Sequence, residues 1–171
     1  GRFMRAVRTG NLVYTAGAVS AWAGDEIKGK VGQDLAIEDG YKAARLATLA
    51  ALWAVKSLIG SLDNVVRVVK VLGMVNVAPG FDATPDVIHG CSDLLLEVFG
   101  ESGRHARSAV GMTIPYNYAV EVELIVEVFF GRRGLGVGQG VLRGRSLALG
   151  RRAFGVLLLV GLRRDRKSTR L

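Results

Sequence analysis

Cysteine is almost absent from this 171-residue chain: Cys91 stands alone, so no internal disulfide can form and the sequence fits a reducing compartment. A cytoplasmic home follows as an expectation. Long apolar runs are missing too. The longest in the C-terminal part, FGVLLLVGL at 154–162, is about half of what a helix needs to cross a bilayer, so no membrane-spanning helix is expected. No set of His, Cys and carboxylate residues has the spacing of a metal site, and neither a metal nor any other cofactor is expected. The glycines at 29, 32 and 131–140 do not form a strand-to-helix phosphate loop with a following Lys-Ser/Thr, which leaves a nucleotide site unsupported. The chain opens at Gly1, without an initiator Met and without the charged-then-apolar pattern of a signal segment. A fragment or a processed start is the expectation.

Acidic residues are scarce at one end only. Residues 1–129 hold 12 Lys and Arg against 14 Asp and Glu, a balance of −2, whereas 130–171 hold 11 against 1, a balance of +10. The overall charge of +8 therefore belongs to the tail. That segment has nine glycines, no convincing period and the ending RRDRKSTRL. It reads as a disordered extension, a nucleic-acid tail or out-of-frame translation. Two units result: a domain at 1–129 and a basic Gly/Arg/Leu-rich tail at 130–171 that is disordered or non-native. Nucleic acid is a partner only if the tail is genuine.

Within 1–129 the hydrophobic period changes several times. Residues 11–19, NLVYTAGAV, read as a strand, with a partner at 3–8 across the turn Thr9-Gly10. Residues 20–34 read as a loop with one short strand near 27–31. From Ile37 to Ile59, Tyr41, Ala44, Thr48, Leu52, Val55 and Ile59 recur at helical spacing and Gly60 follows, which predicts a first helix. The valine-dense stretch 64–77 predicts a buried strand ended by Pro79-Gly80. Residues 82–99 predict a second helix, with Pro85 in its first turn and Gly100 beyond its end. Strands at 107–114 and 119–128 close the domain, and in the last one Val120, Val122, Leu124, Val126 and Val128 alternate with a face rich in glutamate. The order is β-β-α-β-α-β-β, an α+β arrangement with two helices on one face of a mixed sheet. The other face needs a cover, and a second subunit is the economical one.

The segments GNLVYTAG (10–17), KVGQDLAIEDGYKAARLATLAAL (30–52), VVRVVKVLGMVNVAPGF (65–81), SDLLLEVFGESGRHARSAVG (92–111) and PYNYAVEVELIVEV (115–128) resemble the YjgF/RidA family, in particular its larger bacterial branch. The resemblance covers nearly all of 3–128 and nothing in the tail. It implies a chorismate-mutase-like fold assembled as a homotrimer, with ligand clefts between subunits. It also implies a site that, in the deaminase members, hydrolyses 2-imino or enamine acids released by pyridoxal-phosphate enzymes. Arg107 resembles the family arginine whose planar fork holds a substrate carboxylate. Glu121 resembles the acid that positions and deprotonates the attacking water. Phe81 and Asn76, flanking Pro79-Gly80, are candidates to line the cleft or to pack the turn.

The sequence departs from the deaminase pattern at three positions. Ala16 stands where those members have a serine, Ala109 where they have a cysteine, and Phe3 replaces a tyrosine. Backbone groups at Gly17 and Ala109 remain as ligand contacts. The resemblance thus leaves a small carboxylated metabolite as the expected partner and three readings open: an imine deaminase, a non-catalytic metabolite-binding or regulatory trimer, and an RNA-binding or endoribonuclease member. His89, Cys91 and His105 are read as ordinary residues, because His89 and Cys91 are two apart on a helix and point away from each other. Trp22 and Trp53 are read as packing residues.

Overall fold

In the computed structural model, which describes residues 1–129, the apolar stripe over 37–59 forms a 23-residue helix, α1 (Ile37–Ile59). Glu38 and Asp39 occupy its first turn, where the positive end of the helix dipole favours acids. Gly60 ends it at φ 85°, its N–H bonding back to the Lys56 carbonyl. The second helix, α2 (Thr84–Phe99), carries Pro85 at its start and Gly100 after its last residue. The tail at 130–171 and the expectations attached to it lie outside the described residues.

Eight strands accompany the helices. Six make one sheet: β1 (Ala6–Thr9), β2 (Leu12–Thr15), β3 (Ala18–Val19), β6 (Val65–Asn76), β7 (Ala106–Met112) and β8 (Val120–Val128). Two short ones, β4 (Ala21–Trp22) and β5 (Asp25–Glu26), form a separate hairpin. The large sheet runs β1-β2-β8-β6-β7, with β3 also on β8, and is antiparallel except for the parallel pair β6–β7. The α+β class, the mixed sheet and the two-helix layer are as the sequence predicts. Among the described residues no helix is long and apolar enough to cross a membrane.

Three local expectations are corrected. The strand predicted over 11–19 breaks at Ala16-Gly17, just past the Ala16 N–H bond to the Arg5 carbonyl that ends the pairing with β1; both pieces still pair with β8. The short strand expected near 27–31 does not form. Pairing shifts upstream to the β4–β5 hairpin, turned by Ala23 and Gly24 at positive φ, and 27–31 contributes only isolated bridges, Lys28 to Tyr118 and Val31 to Val77. The valine-dense strand is continuously buried only at its end, Gly73–Asn76, and alternates before that. Register shifts between Val65 and Arg67 and between Val68 and Lys70 leave Val66 and Val69 exposed.

Both helices cover one face of the sheet. Val13, Val68, Val71, Val75, Val120, Val122, Leu124 and Val126 point into that layer and are fully or almost fully buried. The helices are cross-linked at their surface by the Arg45–Glu97 pair, with both guanidinium nitrogens within 2.9 Å of carboxylate oxygens, and by Tyr41 Oη donating to Asp93 at 2.9 Å. They approach closely at Gly90, where an added Cβ would collide with the Tyr41 backbone carbonyl. A backbone atom cannot swing aside as a side chain can. Gly90→Ala is therefore expected to destabilise the fold by about 1–3 kcal/mol, read as a lower denaturation midpoint with an unchanged slope; a wild-type midpoint would show that the helices separate freely.

The opposite face carries no helix among the described residues. Along the register, Val7, Tyr14, Ile125 and Lys70 form one row across β1, β2, β8 and β6, and Leu72, Val110 and Met112 continue the apolar area towards β7. Val7, Tyr14, Val110 and Met112 are exposed. Glu121 and Glu123 lie on this same open face, opposite Met74 and Leu72.

Candidate functional site

Glu121 and Arg107 are placed by strand parity. On β8 the residues on either side of Glu121, Val120 and Val122, are wholly buried against the helices, so the Glu121 side chain points to the open face. On β7 the partner of Arg107 is Val71, which faces the helices, and Arg107 Nη1 donates to Ser92 Oγ of α2 at 3.1 Å. Arg107 is therefore on the helix side. The two groups lie on opposite faces, and β6 runs between their strands, a lateral offset of roughly 10 Å. One chain does not bring them together.

Each half has its own surroundings. The Glu121 carboxylate packs over Gly17, where any Cβ would collide with it. Burial, with the neighbouring Glu123 charge adding to it, raises its pKa above the ordinary glutamate value. Among the described residues it has no cationic partner. Beside Gly17 opens a cavity of about 300 Å³, walled by Phe3, Arg5, Ala16 and Gly17 on the strand side and by Ala50 and Ala54 of α1. Phe3 is 73% exposed at its mouth. The structure thus gathers Phe3, Gly17 and Glu121 at one edge of the sheet, with Arg5 as a cation that the sequence reading did not single out.

The other half centres on Arg107. Its one hydrogen bond among the described residues is the one to Ser92, and no carboxylate pairs with it. Ala109, two residues on, faces the same layer, and its carbonyl accepts from Thr84 Oγ1 at 3.1 Å. That carbonyl is engaged within the fold. Ser92 Oγ also lies 3.1 Å from His105 Nε2, and His105 Nδ1 lies 2.6 Å from the Gly103 carbonyl. Burial, against the Gly103 bond and with the Arg107 charge assisting, holds the His105 pKa below its ordinary value.

Two candidates fall away from either half. Asn76 is 1% exposed. Its amide is taken up within the protein, Oδ1 accepting from Lys30 Nζ at 3.3 Å and Nδ2 donating to Asn117 Oδ1 at 2.9 Å; it fixes two loops. Phe81 packs on Gly32, where an added Cβ would stand 2.7 Å from its ring, and so closes the turn after β6. Cys91 is fully buried and burial pushes its thiol up to about 11, which removes it as a nucleophile. The Trp22 and Trp53 rings pack at 5.6 Å between centroids, tilted by 53°. No group of three or more His, Cys, Asp and Glu fit to hold a metal occurs among the described residues.

Comparison with known proteins bears on this layout. A family model described as "YjgF/chorismate_mutase-like, putative endoribonuclease" matches residues 4–128. A solved Agrobacterium tumefaciens protein of unknown function is 38% identical, with a TM-score of 0.72 over 75% of this chain and 82% of that one. A Shewanella oneidensis protein, described as a "putative endoribonuclease", is 33% identical, also at a TM-score of 0.72, over 75% of this chain and 86% of its own. Protein TCP17 of Trypanosoma cruzi is 44% identical over 102 residues, 58% of this chain. The match spans 64% of that relative's length.

Proposed function

Since the chain belongs to the YjgF/chorismate mutase-like family over residues 4–128, we propose that it binds small carboxylated metabolites in clefts between the subunits of a homotrimer and hydrolyses 2-imino acids there to keto acids. The observation that carries this reading is Arg107. A half-buried guanidinium with one serine contact and no acid among the described residues leaves most of its donors unspent, and burying a cation without a counter-charge is costly. A substrate carboxylate completes it. Glu121, raised in pKa and without a cationic partner among the described residues, is the matching base for a water molecule.

Because the two groups occupy opposite faces, the site is composite: Arg107 of one subunit meets Glu121, Gly17 and the Phe3–Arg5 cavity of the next. The open face, with Tyr14, Val110 and Met112 exposed, is the surface that a neighbour covers. Light scattering on the protein is expected to give three times the chain mass, and a clean monomer would refute the assembly. The composite site has a sharper test in mixed trimers. Arg107→Ala and Glu121→Gln chains, each inactive alone, are expected on co-refolding to recover about a quarter of the wild-type rate, since one interface in four then joins an intact Arg107 to an intact Glu121. A site within one chain recovers nothing.

Ala16 and Ala109 favour a second reading, binding without turnover, because the hydroxyl and thiol found in the deaminase members are absent from these positions. A nucleic-acid reading draws no support from the described residues. Their balance of −2 and the unpaired acids on the open face oppose phosphate contacts.

A further inference from the structure

We propose that Ser92 and His105 are positioning residues for Arg107: they fix the plane of its guanidinium and leave the Nε–Nη2 edge as the one that receives a carboxylate. The proposal rests on the reading of Arg107 as the carboxylate anchor.

With the His105 ring neutral, the hydrogen bonds run in one direction. The Gly103 carbonyl is an acceptor, so His105 Nδ1, 2.6 Å away, carries the proton. In the neutral ring Nε2 is then an acceptor, and the Ser92 hydroxyl at 3.1 Å must donate to it. That turns the Ser92 lone pairs outward, where Arg107 Nη1 donates at 3.1 Å. Donation thus runs from Arg107 to Ser92 to His105 to a backbone carbonyl.

The end of this relay is immobile. Gly103 closes the short turn Gly100–Gly103, is buried, and sits so tightly on α2 that a Cβ would collide with the Leu95 backbone carbonyl. The three side chains come from α2, the loop after it and β7, so the relay also ties the edge strand to the helix layer. With one Nη1 N–H given to Ser92, the side-on pair Nε and Nη2 is the two-pronged edge on which neither nitrogen has a partner among the described residues. An arginine has several soft torsions, and holding it in the binding geometry before the ligand arrives removes an ordering loss from binding. The preference that results is for a planar carboxylate approaching side-on.

Calorimetric titration with pyruvate, on the full chain, tests this. Ser92→Ala and His105→Ala are each expected to weaken binding roughly tenfold, the worth of one hydrogen bond in an affinity. Ser92→Thr, which keeps the hydroxyl, is expected to restore most of it. In turnover assays the loss is expected in KM with kcat nearly unchanged, a split that general loosening of the fold does not produce. Wild-type affinity in both alanine variants, with Arg107→Ala still defective, overturns the relay and leaves the anchor standing. Failure of threonine to rescue also overturns it. Pyruvate binding that ignores Arg107→Ala overturns relay and anchor together. Circular dichroism on each variant checks folding, and His105→Gln, whose amide accepts from Ser92, provides the second conservative probe at the ring position.

Discussion

Replacing Arg107 by alanine is expected to weaken keto acid binding by roughly 10²-fold or more. Two charge-assisted hydrogen bonds are lost together, each worth about 1.5–3 kcal/mol, and nothing nearby takes their place, because among the described residues no other cation stands by Ser92. Arg107→Lys is expected to fail as well. A lysine ammonium keeps the charge but offers a single point, so it cannot present two parallel N–H groups to one carboxylate or satisfy Ser92 at the same time. Pyruvate titration of the three proteins decides the matter. Lysine binding at wild-type strength would mean that charge alone is recognised, and the two-pronged geometry would have to be abandoned.

The second large effect concerns Glu121. Glu121→Gln keeps the size and the contact with Gly17 but removes the base, and turnover of 2-iminopropionate generated in the assay is expected to fall by about 10² to 10⁴ while pyruvate affinity holds. The carboxylate acts in its ionised form, and its surroundings on the subunit raise its pKa, so activity is expected to rise with pH as it loses its proton. The glutamine variant is expected to lack that rise. Equal rates for wild type and variant, both above the uncatalysed reaction, would remove Glu121 from the chemistry. A wild type that binds pyruvate through Arg107 yet does not accelerate hydrolysis would leave the non-catalytic binder, as Ala16 and Ala109 favour.

Much of the fold was legible because it rests on long, regular signals. The stripe from Tyr41 to Ile59 with Gly60 behind it defines α1 at both ends, and the strict alternation from Val120 to Val128 defines β8 and its buried face. Short elements left no such trace. Two-residue strands such as Ala21–Trp22 carry no period, so the hairpin they make with Asp25–Glu26 leaves no signal, and the β-branched residues near 27–31 suggest a strand downstream of it. Nor does valine content announce the register shifts that expose Val66 and Val69.

The candidate site was half legible. Motif resemblance pointed to Arg107 and Glu121, yet sequence alone does not say that they face apart. Parity can be compared between strands only when the register is known, and here it passes through β6, parallel to one strand and antiparallel to the other. Ser92 and His105 escaped for a similar reason. Thirteen residues separate them, and their meeting depends on how α2 settles against β7.

The separation of Arg107 and Glu121 by a sheet makes any chemistry that needs both a function of concentration. A diluted chain retains its helices, its cavity and both side chains, yet no substrate can touch the two groups at once. In a site shared between subunits, the rate per chain should therefore fall away below the dissociation constant of the assembly, and raising protein levels should increase activity more steeply than in proportion. For the composite site proposed above, protein concentration alone then sets the rate per chain.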